Sequence, residues 1–208
     1  MFCYQCEQTS RTDSIAGCGS GKGVCGKDES TADLQDLLIY QLKGIAQYSR
    51  RLLDLGQPDA GADEFIRYAL FTTLTNVNFN ANRFVEMIAQ AAQIRDRVRG
   101  SYEAAAPTGE KLSGPAAFNP AINIDGLLAQ AKSASVRAGV EQAGEDVIGL
   151  RALVLYGVKG VAAYAHHAEV LGYMKPEVSA GLAHALDFLA TDPTDIGALL
   201  NESLALGR

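Results

Sequence analysis

Beyond residue 25 the sequence contains no cysteine, and it contains only three histidines, His166, His167 and His184. A catalytic or metal centre built from soft ligands therefore cannot be spread along the chain. The histidines are poor candidates for one. His166 and His167 are adjacent, and helix neighbours at i, i+1 do not face each other. Their place near a helix end points to charge–dipole stabilisation. There is no basic excess either: 18 Lys and Arg stand against 24 Asp and Glu, a net charge of −6. That argues against a nucleic-acid or anionic-membrane partner. The one basic run, Arg95, Arg97 and Arg99, lies among helical residues and is expected on a solvated face. No uninterrupted apolar run reaches the roughly 18 residues of a membrane span. The opening Met-Phe-Cys-Tyr-Gln-Cys lacks the basic start and apolar stretch of a secretory signal. A cytoplasmic protein is expected, in a reducing compartment where structural disulfides are rare. A P-loop, a glycine-rich nucleotide turn and a G-x-S-x-G elbow are all missing.

What the sequence does have is four cysteines in its first 25 residues: Cys3, Cys6, Cys18 and Cys25, spaced C-x2-C-x11-C-x6-C. Four thiolates in one segment can enclose a single metal centre, and iron–sulfur clusters are held by such sets. Gly17, Gly19, Gly21, Gly23 and Gly26 surround the last two cysteines and favour tight turns. They also leave backbone N–H groups free to approach sulfur. Phe2 and Tyr4 flank the first ligands and either shield a cluster or dock on the scaffold. Zinc is the competing metal, but structural zinc sites pair their ligands at C-x2-4-C twice, and the x6 spacing of Cys18 and Cys25 does not fit. Spacing alone accepts either a two-iron or a four-iron cluster.

The rest of the chain predicts an all-α fold. Residues 1–30 form a Cys-rich, iron–sulfur-binding loop. A first three-helix unit follows over 31–100, a connecting loop and short helix over 101–144, and a second three-helix unit over 145–208. Ser30 is the expected N-cap of the first helix, with Asp33 completing a capping box. Leu34, Leu37, Leu38, Leu42, Ile45 and Tyr48 then line one helical face. A second helix is expected over about 63–73. Asn78 is the expected N-cap of a third helix ending near Arg99, with Phe84, Ile88, Ala91, Ala92 and Val98 inward. A helix near 125–140 precedes a long one over about 145–171.

The two units repeat one another. LQDLLIYQLKGIAQYSRRLLDLG at 34–56 and LRALVLYGVKGVAAYAHHAEVLG at 150–172 share nine of 23 positions at an offset of 116. A duplicated unit is the physical reading. Gly44 and Gly160, paired by the repeat, are expected to mark close helix–helix approach, since glycine inside a helix otherwise costs about 1 kcal/mol. Lys43 and Lys159 are expected to snorkel from the packed face. At the same offset the last helix would run past Arg208, so the second unit is expected to be incomplete and the chain truncated.

MFCYQCEQT at the start, GVCGK at 23–27 and LQDLLIYQLKGIAQY at 34–48 together resemble the beginning of the hybrid cluster protein family, also called hydroxylamine reductases. LRALVLYGVKGVAAYAHHAEVLGY at 150–173 resembles the second half of that family's N-terminal helical domain. The resemblance implies two three-helix bundles and a surface cluster held by Cys3, Cys6, Cys18 and Cys25. With x11 and x6 spacing the implied cluster is 2Fe-2S, with 4Fe-4S as the alternative. It also implies electrons delivered by a separate reductase, and reduction of hydroxylamine to ammonia and water, with nitric oxide as a further substrate. That chemistry belongs to an iron–sulfur–oxygen hybrid cluster in later α/β domains absent from this sequence, so the 208 residues alone are expected to be inactive. Nickel carbon monoxide dehydrogenases share related architecture but differ in cluster spacing. The competing functions are a stand-alone ferredoxin-like electron carrier and a zinc-capped helical interaction domain.

Overall fold

The protein is described by a computed structural model covering residue 3 and residues 9–11, 16–18, 22–75 and 77–208. Among these residues the chain is helical almost throughout after residue 28. Before it lies one short antiparallel ladder, β1 (Ser10–Arg11) with β2 (Ala16–Gly17), in the register Ser10 to Gly17 and Arg11 to Ala16.

The first helix, α1 (Glu29–Asp54), is capped by Asp28, not by Ser30. The Asp28 carboxylate accepts the Thr31 N–H at 2.8 Å, and Ser30 sits inside the first turn, donating its hydroxyl to the same carboxylate. An ionised acceptor at the positive end of the helix outcompetes a hydroxyl. These hydrogen bonds from Thr31 hold Asp28 below the usual carboxylate range. The helix α2 (Ala60–Thr72) starts three residues before the expected position, because Asp59 caps it through the Ala62 N–H. For α3 (Ala81–Ala105) the cap is Asn80, whose Oδ1 accepts from the N–H groups of Asn82 and Arg83. Asn78 instead accepts the N–H of Asn80 at 2.9 Å, a turn ahead of the cap.

Where sequence periodicity ends α3 near Arg99, the structure carries it on to Ala105. Gly100 is exposed there and costs about 1 kcal/mol. Two residues on, Tyr102 is buried beside the Tyr48 ring, with centroids 5.9 Å apart. Burying such a ring is worth roughly 1.5–3 kcal/mol, which outweighs the glycine. Arg95 corrects another expectation: it is buried, not solvated, because it lies between Ala91 and Val98 on the inward face. Ala92 is only half-buried.

A 3-10 turn at Gly114–Ala117 leads to α4 (Ile124–Ala134) and the single turn α5 (Val140–Ala143), in place of one helix over 125–140. The break follows from Asp36 of α1, which accepts the Val136 N–H at 3.1 Å, and from Gly139 at φ +80°. Then come α6 (Glu145–Val170), α7 (Pro176–Ala190) and α8 (Ile196–Leu206). By length and composition α6 is apolar enough to cross a membrane. In this fold it packs against α2, α7 and α8, and it carries Arg151, Lys159 and Glu169.

The duplication is visible in the backbone. The ends of α1 and α6 are offset by 116 at both termini. Both helices end in the same two-bond cap: Gly56 (φ +71°) with Gln57 N–H to Leu52 C=O, and Gly172 (φ +82°) with Tyr173 N–H to Ala168 C=O. The copies do not fold apart from each other. α7 packs on α1 and α2 packs on α6, so each long helix takes the other copy's second helix into a shared core. Buried Arg67 of α2 ties this exchange together, pairing with Glu169 of α6 and donating to Ser179 Oγ of α7 at 2.6 Å.

The repeated glycines have different roles. A Cβ on Gly44 would lie 2.3 Å from the Pro115 carbonyl oxygen, so this position admits the backbone of the 3-10 turn rather than another helix. Gln47, one turn on, accepts the Ala116 N–H at 3.0 Å and fastens that turn. Gly160 is exposed, and a Cβ there would meet nothing within 4 Å, so no close approach explains it. Gly44→Ala should therefore destabilise the protein by about 1–3 kcal/mol through overpacking. Gly160→Ala should stabilise it by roughly 0.5–1 kcal/mol. Urea unfolding of the two variants, followed by circular dichroism, checks the opposite signs.

Candidate metal centre

Cys3 is half-buried, and its carbonyl accepts the Thr9 hydroxyl at 2.6 Å. Cys18 follows β2 directly and is 4% exposed. Its Sγ accepts the Val24 N–H at 3.4 Å, the kind of amide-to-sulfur bond expected from the glycine-rich composition. Cys25 is exposed, on a turn closed by Gly23 N–H to Lys27 C=O at 2.8 Å and Gly26 N–H to Gly23 C=O at 2.9 Å. Gly26 adopts φ +92°, which a side chain would strain. Across the base of this turn, Lys22 and Asp28 pair as an isolated antiparallel bridge that delivers the chain to the α1 cap.

Cys3, Cys18 and Cys25 are unbridged. Cys6 lies outside the described residues, as do Phe2, Tyr4, Gly19 and Gly21. Among the described residues no three His, Cys, Asp or Glu side chains already stand close enough to hold an ion. The donor chemistry fits an iron–sulfur cluster: soft sulfurs, one of them buried and already receiving a backbone N–H.

Two of the histidines pack against aromatic rings of α2. His166 stacks on Phe71 of α2 at 4.5 Å and contacts the Tyr68 ring at 5.7 Å. His167 meets the edge of the same phenylalanine at 5.3 Å. His184 lies 3.5 Å from Glu202.

Sequence reasoning missed a group of enclosed charges on the scaffold. Lys27, two residues after Cys25, is buried and donates to Gln35 Oε1 of α1 at 2.7 Å. Lys159 of α6 does not snorkel. It is 2% exposed, and its Nζ has no hydrogen-bond partner among the described residues. Half-buried Asp36 completes the group. Burial pushes its carboxyl up to about 6 against the opposing pull of the Val136 N–H and of Lys159 and Lys27. Burial likewise pushes Lys159 down to about 8, against the attraction of Asp36. The signal available in the sequence was the repeat itself, which singled out Lys43 and Lys159. What it could not reveal was that the first faces a cleft of about 400 Å³ while the second is enclosed.

In metal-free protein the exposed Cys25 should react with a thiol reagent much faster than Cys18, since reaction needs access to the sulfur. Timed alkylation followed by peptide mass spectrometry gives the order.

The comparisons with known proteins agree with this architecture. The model of the Prismane/CO dehydrogenase family matches residues 1–208. The chain is 66% identical to a hydroxylamine reductase of Acidiphilium cryptum, 55% to one of Burkholderia lata and 56% to one of Acidithiobacillus ferrooxidans. Each match covers all of this chain and 38% of the relative. The chain thus spans well under half the length of the curated relatives it matches. With a family match along its whole length and helices that repeat at the spacing its sequence announces, the chain belongs to the Prismane/CO dehydrogenase family, which includes the hybrid cluster proteins.

Proposed function

We propose that these 208 residues are the N-terminal electron-transfer domain of a hydroxylamine reductase, and that Cys3, Cys6, Cys18 and Cys25 hold a 2Fe-2S cluster, with 4Fe-4S as the alternative. The observation that carries this reading is the turn at residues 23–27. It brings a buried Cys18 and an exposed Cys25 to one backbone loop, with an amide already directed at sulfur. Bound there, the cluster supplies one-electron storage.

The chain's own residues divide the remaining work. Val24 holds Cys18 through its N–H, which steadies negative charge on that sulfur. The exposed Cys25 edge is where a separate reductase delivers electrons, since transfer requires close approach and the other described thiols are more covered. The helical body supplies a rigid, largely apolar base. The same reading has the protein work in the cytoplasm, on hydroxylamine or nitric oxide, at a hybrid cluster outside these residues. Hydroxylamine reduction consumes two electrons and two protons and yields ammonia and water. A one-electron entry site must therefore turn over twice for each substrate.

Anaerobic reconstitution tests the assignment. The expected product is brown and contains about two irons and two sulfides per chain. Cys18→Ser and Cys25→Ser should each lose most of that content. About four of each per chain would select the 4Fe-4S alternative. Stoichiometric zinc without sulfide would replace the electron-transfer reading with a structural one.

A further inference from the structure

The long helices of the two copies match in length and register, yet one face of α6 is exposed. Gly149, Leu153, Gly160 and Tyr164 fall on that face at spacings of four, seven and four, and none is charged. Leu153 is 53% exposed and Tyr164 is 82% exposed. An apolar face along about 22 Å of helix marks a surface that another element covers.

The first copy shows what the cover is. On α1 the last three of these positions are Leu37, Gly44 and Tyr48, all buried. The Tyr48 ring lies against Tyr102, near the end of α3. The Pro115 carbonyl oxygen fills the space where a Gly44 Cβ would stand, and Gln47 accepts the Ala116 N–H. The cover is therefore one stretch of chain, the end of α3 and the 3-10 turn that follows it. A glycine inside a helix is unfavourable unless a backbone comes close to it, and at Gly44 one does. Gly160 offers the same gap, and nothing lies within 4 Å of a Cβ built there.

The element that would carry a second cover is already in place. α8 corresponds to α3, since their caps Asp195 and Asn80 are 115 residues apart. Leu206, at the end of α8, reaches α6: a Cβ on Gly157 would lie 3.1 Å from Leu206 Cδ1. Gly157 is one turn before Gly160 and two turns before Tyr164. At the same offset the counterpart of Tyr102 falls at about residue 217, and that of the 3-10 turn at about residues 229–232. The curated relatives extend far beyond the match, which covers 38% of each.

We propose that the face of α6 formed by Leu153, Gly160 and Tyr164 seats the polypeptide that follows residue 208. α8 continues along α6 and sets a side chain against the Tyr164 ring, and the turn after it closes its backbone on Gly160. The face is then an internal surface of the longer protein, not a docking site for a reductase or for a second copy. This rests on the reading of the chain as the N-terminal domain of a longer protein and is independent of the cluster.

The test compares the 208 residues alone with a chimera in which they replace the matching part of the Acidiphilium cryptum hydroxylamine reductase. Acetylation by N-acetylimidazole, followed by peptide mass spectrometry, reads access to tyrosine. In the chain alone Tyr164 should react as readily as Tyr173, which is 75% exposed. In the chimera Tyr164 should react about tenfold more slowly, since a covered ring is reached only by local opening. Tyr173, whose counterpart Gln57 is exposed in the first copy, should be unchanged. Gly160→Ala should raise the urea midpoint of the chain alone and lower that of the chimera, where the added Cβ meets the incoming backbone. A shorter fusion, extended by only the relative's next roughly 30 residues, carries just the segment that the repeat assigns. It should protect Tyr164 as the chimera does, and it decides the matter if the chimera does not fold.

A folded chimera in which Tyr164 reacts as fast as in the chain alone overturns the proposal. Protection in the chimera but not in the shorter fusion also overturns it, because a more distant part then covers the face. So does a Tyr164 already protected in the chain alone together with a dimeric mass by light scattering, which gives the face to a second copy. These three outcomes leave the N-terminal-domain reading standing. A reading frame that stops after Arg208 removes that reading and this inference together.

Discussion

The enclosure of α1 is the constraint on which the rest of the structure depends. Leu34, Leu37, Leu38, Leu42 and Ile45 are fully buried, and so are the polar Thr31, Gln35, Gln41 and Gln47 on its other faces. A helix buried on one side needs only an apolar stripe. This one is wrapped by α3, α4, α7 and the 3-10 turn, so its polar side chains must find partners inside the protein. Several do so by fastening loops, while the Gln41 amide has no hydrogen-bond partner among the described residues. Gln47 seats the 3-10 turn, Asp36 ends the α4 segment, and Gln35 secures Lys27 and with it the turn that bears Cys25. The turn that bears Cys25 is therefore anchored to a deeply buried helix.

Duplication has produced two helices of equal length and unequal surroundings. Leu37 is 0% exposed and its counterpart Leu153 is 53% exposed; Tyr48 is 5% and Tyr164 is 82%. The same side chains at the same helical positions are core in one copy and surface in the other. The 25-residue α3 runs along α1, whereas α6 meets the 11-residue α8 and leaves much of one face bare. Gly44 and Gly160 diverge for the same reason, as do the two repeated lysines. A repeat conserves what a helix needs to form and to end, but not what packs against it.

Among the described residues of the cysteine segment, the contacts are a two-residue ladder, one hydroxyl-to-carbonyl bond, one amide-to-sulfur bond and a glycine turn. The turn is tied to the helical scaffold through Lys27 and Gln35.

Much of this was legible in the residues themselves. Helix content, the offset of 116, the glycine caps at Gly56 and Gly172, and the concentration of every thiol in one segment follow from local chemistry, which needs no knowledge of distant neighbours. The caps Asp28 and Asn80 were misplaced by two residues each, because several acceptors stood close together and backbone geometry chose among them. Arg95 and Lys159 were misjudged more seriously. Their side chains suit either a solvated or an enclosed position, and only the elements packed over them select one. Local sequence by itself determined where the helices lie and which atoms can bind metal. The tertiary structure alone decided which of two repeated helical faces is buried and which cations are enclosed, since burial depends on every element that closes over a residue and not on the residue itself.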